Sequence, residues 1–194
     1  MSNPKLILAS ESPYRRALLD RLGVSYTAHP HRCDERALPM VSSLDQHAVA
    51  LAEGKARSLA TEFPDAFIIG SDQIAELAGQ VLHKPGTVAN ARDQLRLLQG
   101  RAHRLLTAIA LLSPDNSITT SLDVHQMYMR SLSTSEIDRY LAADSPLDCC
   151  GSYKIECLGI SLFERIEGED FTAITGLPLI SLANLLRGAG FRMP

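Results

Sequence analysis

The sequence predicts an α/β chain of the mixed, α+β kind, and three observations carry that expectation. Short, largely apolar runs of the sort that suit buried strands stand at residues 5–9 and 67–72. Between and after them lie amphipathic segments opened by serine-containing helix starts. Two long β-type runs, 105–112 and 118–129, are joined by Ser-Pro-Asp-Asn at 113–116, a turn with clear chemistry, and read as an antiparallel pair. Strands alternating with helices throughout point to an α/β or α+β domain.

Each element has a local reason. Residues 5–9, Lys-Leu-Ile-Leu-Ala, give the first strand; Ser12-Pro13 then starts a helix of about residues 13–22, with serine as its cap and proline at the first helical position. Gly23 ends that helix, and 24–29 reads as a second strand. Residues 30–41 are polar and proline-containing, a loop that carries Asp34 and Glu35. Ser43-Leu-Asp-Gln46 matches a capping box and opens a helix to about Glu62, with Lys55 following its apolar side. Residues 67–72, Phe-Ile-Ile-Gly-Ser-Asp, form a strand ending in an acid, and Ala78-Gly79 turns a hairpin between 74–75 and 81–82. Lys84-Pro85 precedes a helix of 88–98. Ser133-Thr-Ser-Glu136 is a second capping box for a helix to about Ala142. A Cys-Cys-Gly-Ser-Tyr-Lys loop, a strand at 159–163 and a helix at 178–187 complete the chain, which shows no repeats, linkers or low-complexity tracts.

Composition narrows the function. A chain of 194 residues buries a sizeable core without staples. Its 22 acidic and 19 basic residues give a net charge of −3, which argues against a nucleic-acid partner held by a general basic field. No stretch approaches the roughly 20 apolar residues of a membrane span. The amino terminus lacks a signal-type apolar segment, so the expected location is cytoplasmic. Cys33, Cys149, Cys150 and Cys157 lack the paired spacing of a zinc site and are expected as reduced, mostly buried thiols.

Positive charge is concentrated instead where a ligand belongs. Ser10 and Ser12 lie between the first strand and a helix that opens with Tyr14, Arg15 and Arg16. A strand's C-terminal end, a helix N-terminus and two guanidinium groups together suit phosphate oxygens. Asp72, in Gly-Ser-Asp-Gln, is placed to hold a metal ion or to take a proton from water. Asp34 and Glu35 add carboxylates, and Lys55 and Lys84 add cations from separate segments.

In order and spacing these segments resemble the Maf family of nucleoside triphosphate pyrophosphatases. The resemblance rests on Ala-Ser-x-Ser-Pro-x-Arg-Arg at 9–16, Asp34-Glu35, Glu53-Gly-Lys55-Ala, Gly-Ser-Asp-Gln at 70–73 and Lys84-Pro85. It continues through Thr107, Gly151-Ser-Tyr, Glu167-Gly and Gly176-Leu-Pro, so it spans nearly the whole chain as a single domain, residues 1–194. The resemblance implies an elongated mixed sheet flanked by helices, in two lobes around a central cleft, of the ITPase-like Maf type. It implies that Ser10, Arg15, Arg16, Lys55 and Lys84 bind the triphosphate, that Glu35 and Asp72 hold a divalent metal (magnesium, manganese or cobalt), and that Asp72 accepts the proton. Which of Asp34 and Glu35 does what is left open by the residues themselves.

Three positions bear on the base. In the family's dTTP and UTP branch, the positions of Tyr14, Gln73 and Glu156 resemble arginine, threonine and glutamine. This chain resembles instead the branch that hydrolyses 7-methyl-GTP, with an aromatic residue, a glutamine and a glutamate there. N7-methylation makes guanine cationic, which suits an aromatic face and a carboxylate. The alternatives are a dTTP/UTP pyrophosphatase and a non-catalytic nucleotide sensor acting on cell division or septum formation. The expected partner is a small nucleotide, with neither nucleic acid nor membrane, and a homodimer is allowed for although the sequence shows no seam that specifies one.

Overall fold

The computed structural model describes residues 4–38 and 41–193. The loop expected at 30–41 is therefore described except at residues 39 and 40, and residues 1–3 and 194 also lie outside the described residues.

The chain forms β1 (Leu6–Ala9), α1 (Pro13–Asp20), β2 (Thr27–His29), α2 (Leu44–Arg57), β3 (Phe67–Leu77), β4 (Gln80–Leu82) and α3 (Val88–Leu98). These are followed by β5 (Ala102–Leu112), β6 (Ile118–Met129), α4 (Thr134–Asp144), β7 (Phe163–Glu167), α5 (Phe171–Ile174) and α6 (Leu179–Gly188). The strands make one mixed sheet in the order β2-β1-β3-β5-β6-β7, with β4 paired to β3. β1 runs parallel to β2 and to β3, with Leu8 opposite both Ala28 and Ile69. All four residues of β1 are buried, as an apolar run in a parallel strand requires.

The chain divides into two compact units, one of residues 1–72, 107–123 and 170–194, the other of 73–106 and 124–169. In the first, Leu6, Leu8, Leu19, Ile69, Ile109 and Leu182 belong to one buried cluster. Each such side chain contributes about 1.5–3 kcal/mol on burial. In the second, the rings of buried His103 and Tyr153 pack with half-buried Phe163, the Tyr153 and Phe163 rings edge-on at 4.9 Å between centroids.

Most starts and stops follow the local chemistry. Ser12 caps α1 and Pro13 occupies its first turn. The Ser133–Glu136 capping box is present in both directions. Ala78 and Gly79 both have positive φ, 51° and 86°, the conformation a two-residue hairpin turn requires.

Five expectations are corrected. The second strand is only Thr27–His29, since Gly23 turns the chain in the left-handed region and Tyr26 is drawn back to Asp20, its hydroxyl donating to the carboxylate at 2.8 Å. Helix α2 stops at Arg57 and not near Glu62, because the Ser58 hydroxyl donates to the Lys55 carbonyl and competes with the next helical turn. Its capping box is half made: Ser43 accepts from the Gln46 amide, but the Gln46 side chain accepts from Ser42. Residues 158–162 form a 3-10 turn, and the strand begins at Phe163; Gly159 is pressed against the Lys154 carbonyl and donates its N–H to Asp144, which bends the segment. The four cysteines are unbridged, but Cys157 is exposed and the other three only half-buried.

Candidate active site

β3 does not end at Asp72. The strand continues to Leu77, so Asp72 projects from its middle, buried. That placement corrects the expectation of a strand ending in the acid. What gives it a partner is the approach of α2: Gly70, two residues earlier, lies so close to α2 that a β-carbon there would overlap the Ala52 carbonyl oxygen and sit 2.7 Å from the Ala56 amide nitrogen. Lys55, on the same helix turn, is thereby buried against the strand.

The Lys55 ammonium donates to Asp72 Oδ1 at 2.5 Å and pairs with Glu35 Oε1 at 2.9 Å. A buried cation thus ties a buried acid to one that is half exposed, since the Lys55 and Asp72 side chains are 6% and 10% exposed and Glu35 is 46%. Gly54 supports the third member. A β-carbon at 54 would lie 2.9 Å from Cys33 Sγ and 3.1 Å from Leu38 Cδ1, so its absence lets the loop bearing Glu35 rest on α2. Within the loop, His31 Nε2 stands 3.6 Å from Glu35 Oε1, a contact too long for a hydrogen bond. Burial, reinforced by the Lys55 charge, lowers the pKa of His31. Burial also raises the Cys33 thiol, with Glu35 adding to the effect, so Cys33 is not poised as a thiolate nucleophile.

The serine and arginine of the first turn form the neighbouring part of the same unit. Ser10 is buried; its hydroxyl accepts from the Ser12 amide at 3.2 Å and from Arg15 Nη1 at 3.4 Å. Arg15 Nε donates to the Gly176 carbonyl at 3.0 Å, and the Ser71 hydroxyl donates to that carbonyl at 3.0 Å. Thr107 donates in the same way to the Ala173 carbonyl at 2.9 Å. Segment 173–176 is thus bonded to β3, β5 and α1 together. Asp170 fixes it from the other side, accepting from Thr172 through Oδ1 and from the Ile180 amide through Oδ2 at 2.7 Å. Arg16 is exposed and, among the described residues, its guanidinium has no ion-pair partner.

Of the residues expected from sequence, the structure brings together Asp72, Lys55 and Glu35, and separately Ser10 and Arg15. Tyr14 is half-buried at the second position of α1. Asp34 points elsewhere: its Oδ1 accepts from the Arg36 amide at 3.1 Å, which assigns the Lys55 contact to Glu35. Gln73, Lys84 and Glu156 belong to the second unit; Gln73 is half-buried, Lys84 and Glu156 exposed. Sequence reasoning did not assign Gly70, Ser71, Asp170 or the Gly176 carbonyl. Glycine within an apolar strand pattern was the available signal for Gly70.

Among the described residues no group of three or more His, Cys, Asp and Glu is gathered as a metal cluster. The two carboxylates that Lys55 ties together, Glu35 and Asp72, are hard oxygen donors of the type a divalent ion takes.

The chain is 49% identical over 191 residues to a protein of Xanthomonas campestris pv. campestris (strain 8004) named 7-methyl-GTP pyrophosphatase, covering 98% of this chain and 99% of that one. A protein of the same name from Xanthomonas axonopodis pv. citri is 50% identical, covering 98% and 100%, and one from Hahella chejuensis is 44% identical, covering 99% and 97%. The structure of a HAM1 protein from Coxiella burnetii superposes with a TM-score of 0.51 at 14% identity, over 95% of this chain and 99% of that one, a likeness of fold. The profile of the Maf-like protein family matches residues 5–189, and the chain belongs to that family.

Proposed function

We propose that this chain is a nucleoside triphosphate pyrophosphatase that hydrolyses 7-methyl-GTP to 7-methyl-GMP and diphosphate, removing a modified nucleotide. The observation that carries the reading is the Asp72–Lys55–Glu35 constellation: a buried acid, a buried cation and a second acid on one unit, in a chain close to half identical with proteins named for that activity.

Water attacks the α-phosphorus, the bond from that phosphorus to the bridging oxygen breaks, and diphosphate leaves with the electron pair. Asp72 takes the proton that the water gives up. Lys55 orients the Asp72 carboxylate through its bond to Oδ1, leaving Oδ2 for the water. Ser10, Arg15, Arg16, Lys55 and Lys84 bind the triphosphate and offset the charge that builds on the leaving diphosphate. Glu35 and Asp72 would hold a divalent ion, which supplies charge neutralisation and a lowered pKa for bound water.

Tyr14, Gln73 and Glu156 select the base. Stacking of a cationic 7-methylguanine on the Tyr14 ring supplies about 0.5–2 kcal/mol. The Glu156 carboxylate accepts from the guanine N1–H and exocyclic amino group together, donors that a pyrimidine lacks in that arrangement. The enzyme is expected to act in the cytoplasm.

A nucleotide panel tests the reading. With magnesium, manganese or cobalt present, diphosphate is released faster from 7-methyl-GTP than from dTTP or UTP. Preference for dTTP would overturn the base assignment, and nucleotide binding in a calorimeter without turnover would overturn the enzyme.

A further inference from the structure

The second unit contains a side-chain bridge that no step above uses. Helix α3 presents Asn90 and Gln94, four residues apart and so on one face of the helix. Asn90 Nδ2 donates to the Pro85 carbonyl at 2.8 Å, and Gln94 Nε2 donates to the His83 carbonyl at 2.7 Å. These two carbonyls flank Lys84. The next residue is held as well, since the Gly86 amide, at a φ of +68°, donates to the Leu147 carbonyl at 3.0 Å. The irregular segment 83–86 is thus pinned on both sides of a lysine that is itself exposed and, among the described residues, without an ion-pair partner.

Gln94 has a second bond. Its Oε1 accepts from the Ser152 hydroxyl at 2.6 Å. Ser152 is fully buried and sits at a φ of +62°, directly after Gly151 at +75°. Two successive left-handed residues, one of them not glycine, are strained and persist only where the surroundings hold them. The chain continues from this turn through Tyr153 and Lys154 to Glu156, and Cys150 within it donates to the Gln73 carbonyl at 3.8 Å, an ordinary distance for sulfur. One amide side chain therefore joins the segment bearing Lys84 to the loop bearing Glu156.

We infer that Gln94 is a positioning residue: through the His83 carbonyl it sets the Lys84 backbone for the triphosphate, and through Ser152 it fixes that setting relative to the loop that reads the base. The inference rests on the reading of Lys84 as a triphosphate ligand. It assigns Gln94 no contact with substrate.

The test is a double-mutant cycle on the full chain with Gln94→Leu and Lys84→Met, read by KM and kcat for 7-methyl-GTP and by inhibition with tripolyphosphate, a probe that has the phosphates and no base. Gln94→Leu is expected to weaken tripolyphosphate inhibition and to raise KM by about five- to tenfold, as loss of a hydrogen bond at each end would, with kcat changed less. In the Lys84→Met background the same change adds almost nothing. Gln94→Glu, which keeps the acceptor for Ser152 and loses the donor to His83, reproduces the weakened tripolyphosphate inhibition and guards against a folding defect in the leucine variant. Equal effects of Gln94→Leu in both backgrounds, or no effect of either Gln94 variant, would overturn the inference and leave Lys84 in place. No effect of Lys84→Met on tripolyphosphate would overturn the reading of Lys84 itself.

Discussion

Gly70 lies against the Ala52 carbonyl so closely that any β-carbon would overlap it, and this contact sets the depth at which α2 rests on β3. Lys55 and Asp72 meet as a result, since each is a few residues along its element from the contact. Gly70→Ala forces the helix outward. Overpacking of this kind costs about 1–3 kcal/mol, and more where backbone cannot yield. A lowered midpoint of thermal unfolding, together with a loss of diphosphate release larger than the lost stability explains, is expected. A variant with unchanged midpoint and unchanged turnover would show that the contact does not position the pair.

The choice of base is expected to respond to Glu156 without affecting the fold, since that side chain is exposed. Glu156→Gln keeps the shape and loses the charge. A hydrogen bond to a charged group is worth about 1.5–3 kcal/mol, so kcat/KM for 7-methyl-GTP falls by roughly 10- to 100-fold while that for dTTP holds or rises. Paired specificity constants for the two nucleotides measure this. An equal fall for both would remove Glu156 from base reading.

The stability of the protein depends on pH through His103. This side chain is buried, with Nε2 against the Tyr153 hydroxyl at 3.0 Å and Nδ1 without a hydrogen-bond partner among the described residues. Burial pushes its pKa from 6.5 down to about 4. Between those values the unfolded chain carries the proton and the folded chain does not, so stability is full above pH 6.5 and falls as the pH drops toward 4. The slope contributed by one such group is about 1.4 kcal/mol per pH unit. Thermal unfolding from pH 7 to pH 4.5 is expected to show this decline, and His103→Gln to flatten it whatever its effect on the midpoint. An unchanged slope in the variant would assign the acid sensitivity to other groups.

What the sequence made legible was local. Ser12-Pro13, Ser133 with Glu136, Ala78-Gly79 and the full extent of α3 each follow from chemistry within a few residues, and the structure has them in place. What it did not show depends on contacts far apart along the chain. Asp72 read as the end of a strand because Ser71, Asp72 and Gln73 interrupt the apolar run, whereas the ladder continues on the pairing of Ala75 to Leu77 with β4. The 3-10 turn at 158–162 arises from the close approach of Gly159 to Lys154 and from Asp144, which no period in the sequence encodes. The residue types of the site were readable from motif order. The tie of Lys55 to both acids and the hub at the Gly176 carbonyl were not, since they join residues 17 to 161 positions apart.

The most direct test is diphosphate release from 7-methyl-GTP by the wild-type protein and by Asp72→Asn, side by side with divalent metal present and with far-ultraviolet circular dichroism as a check on folding. Removal of a general base costs about 10²- to 10⁴-fold in rate. The expected result is steady turnover by the wild type and a loss of at least that size in a folded variant. Turnover by Asp72→Asn within a few-fold of the wild type would contradict the account.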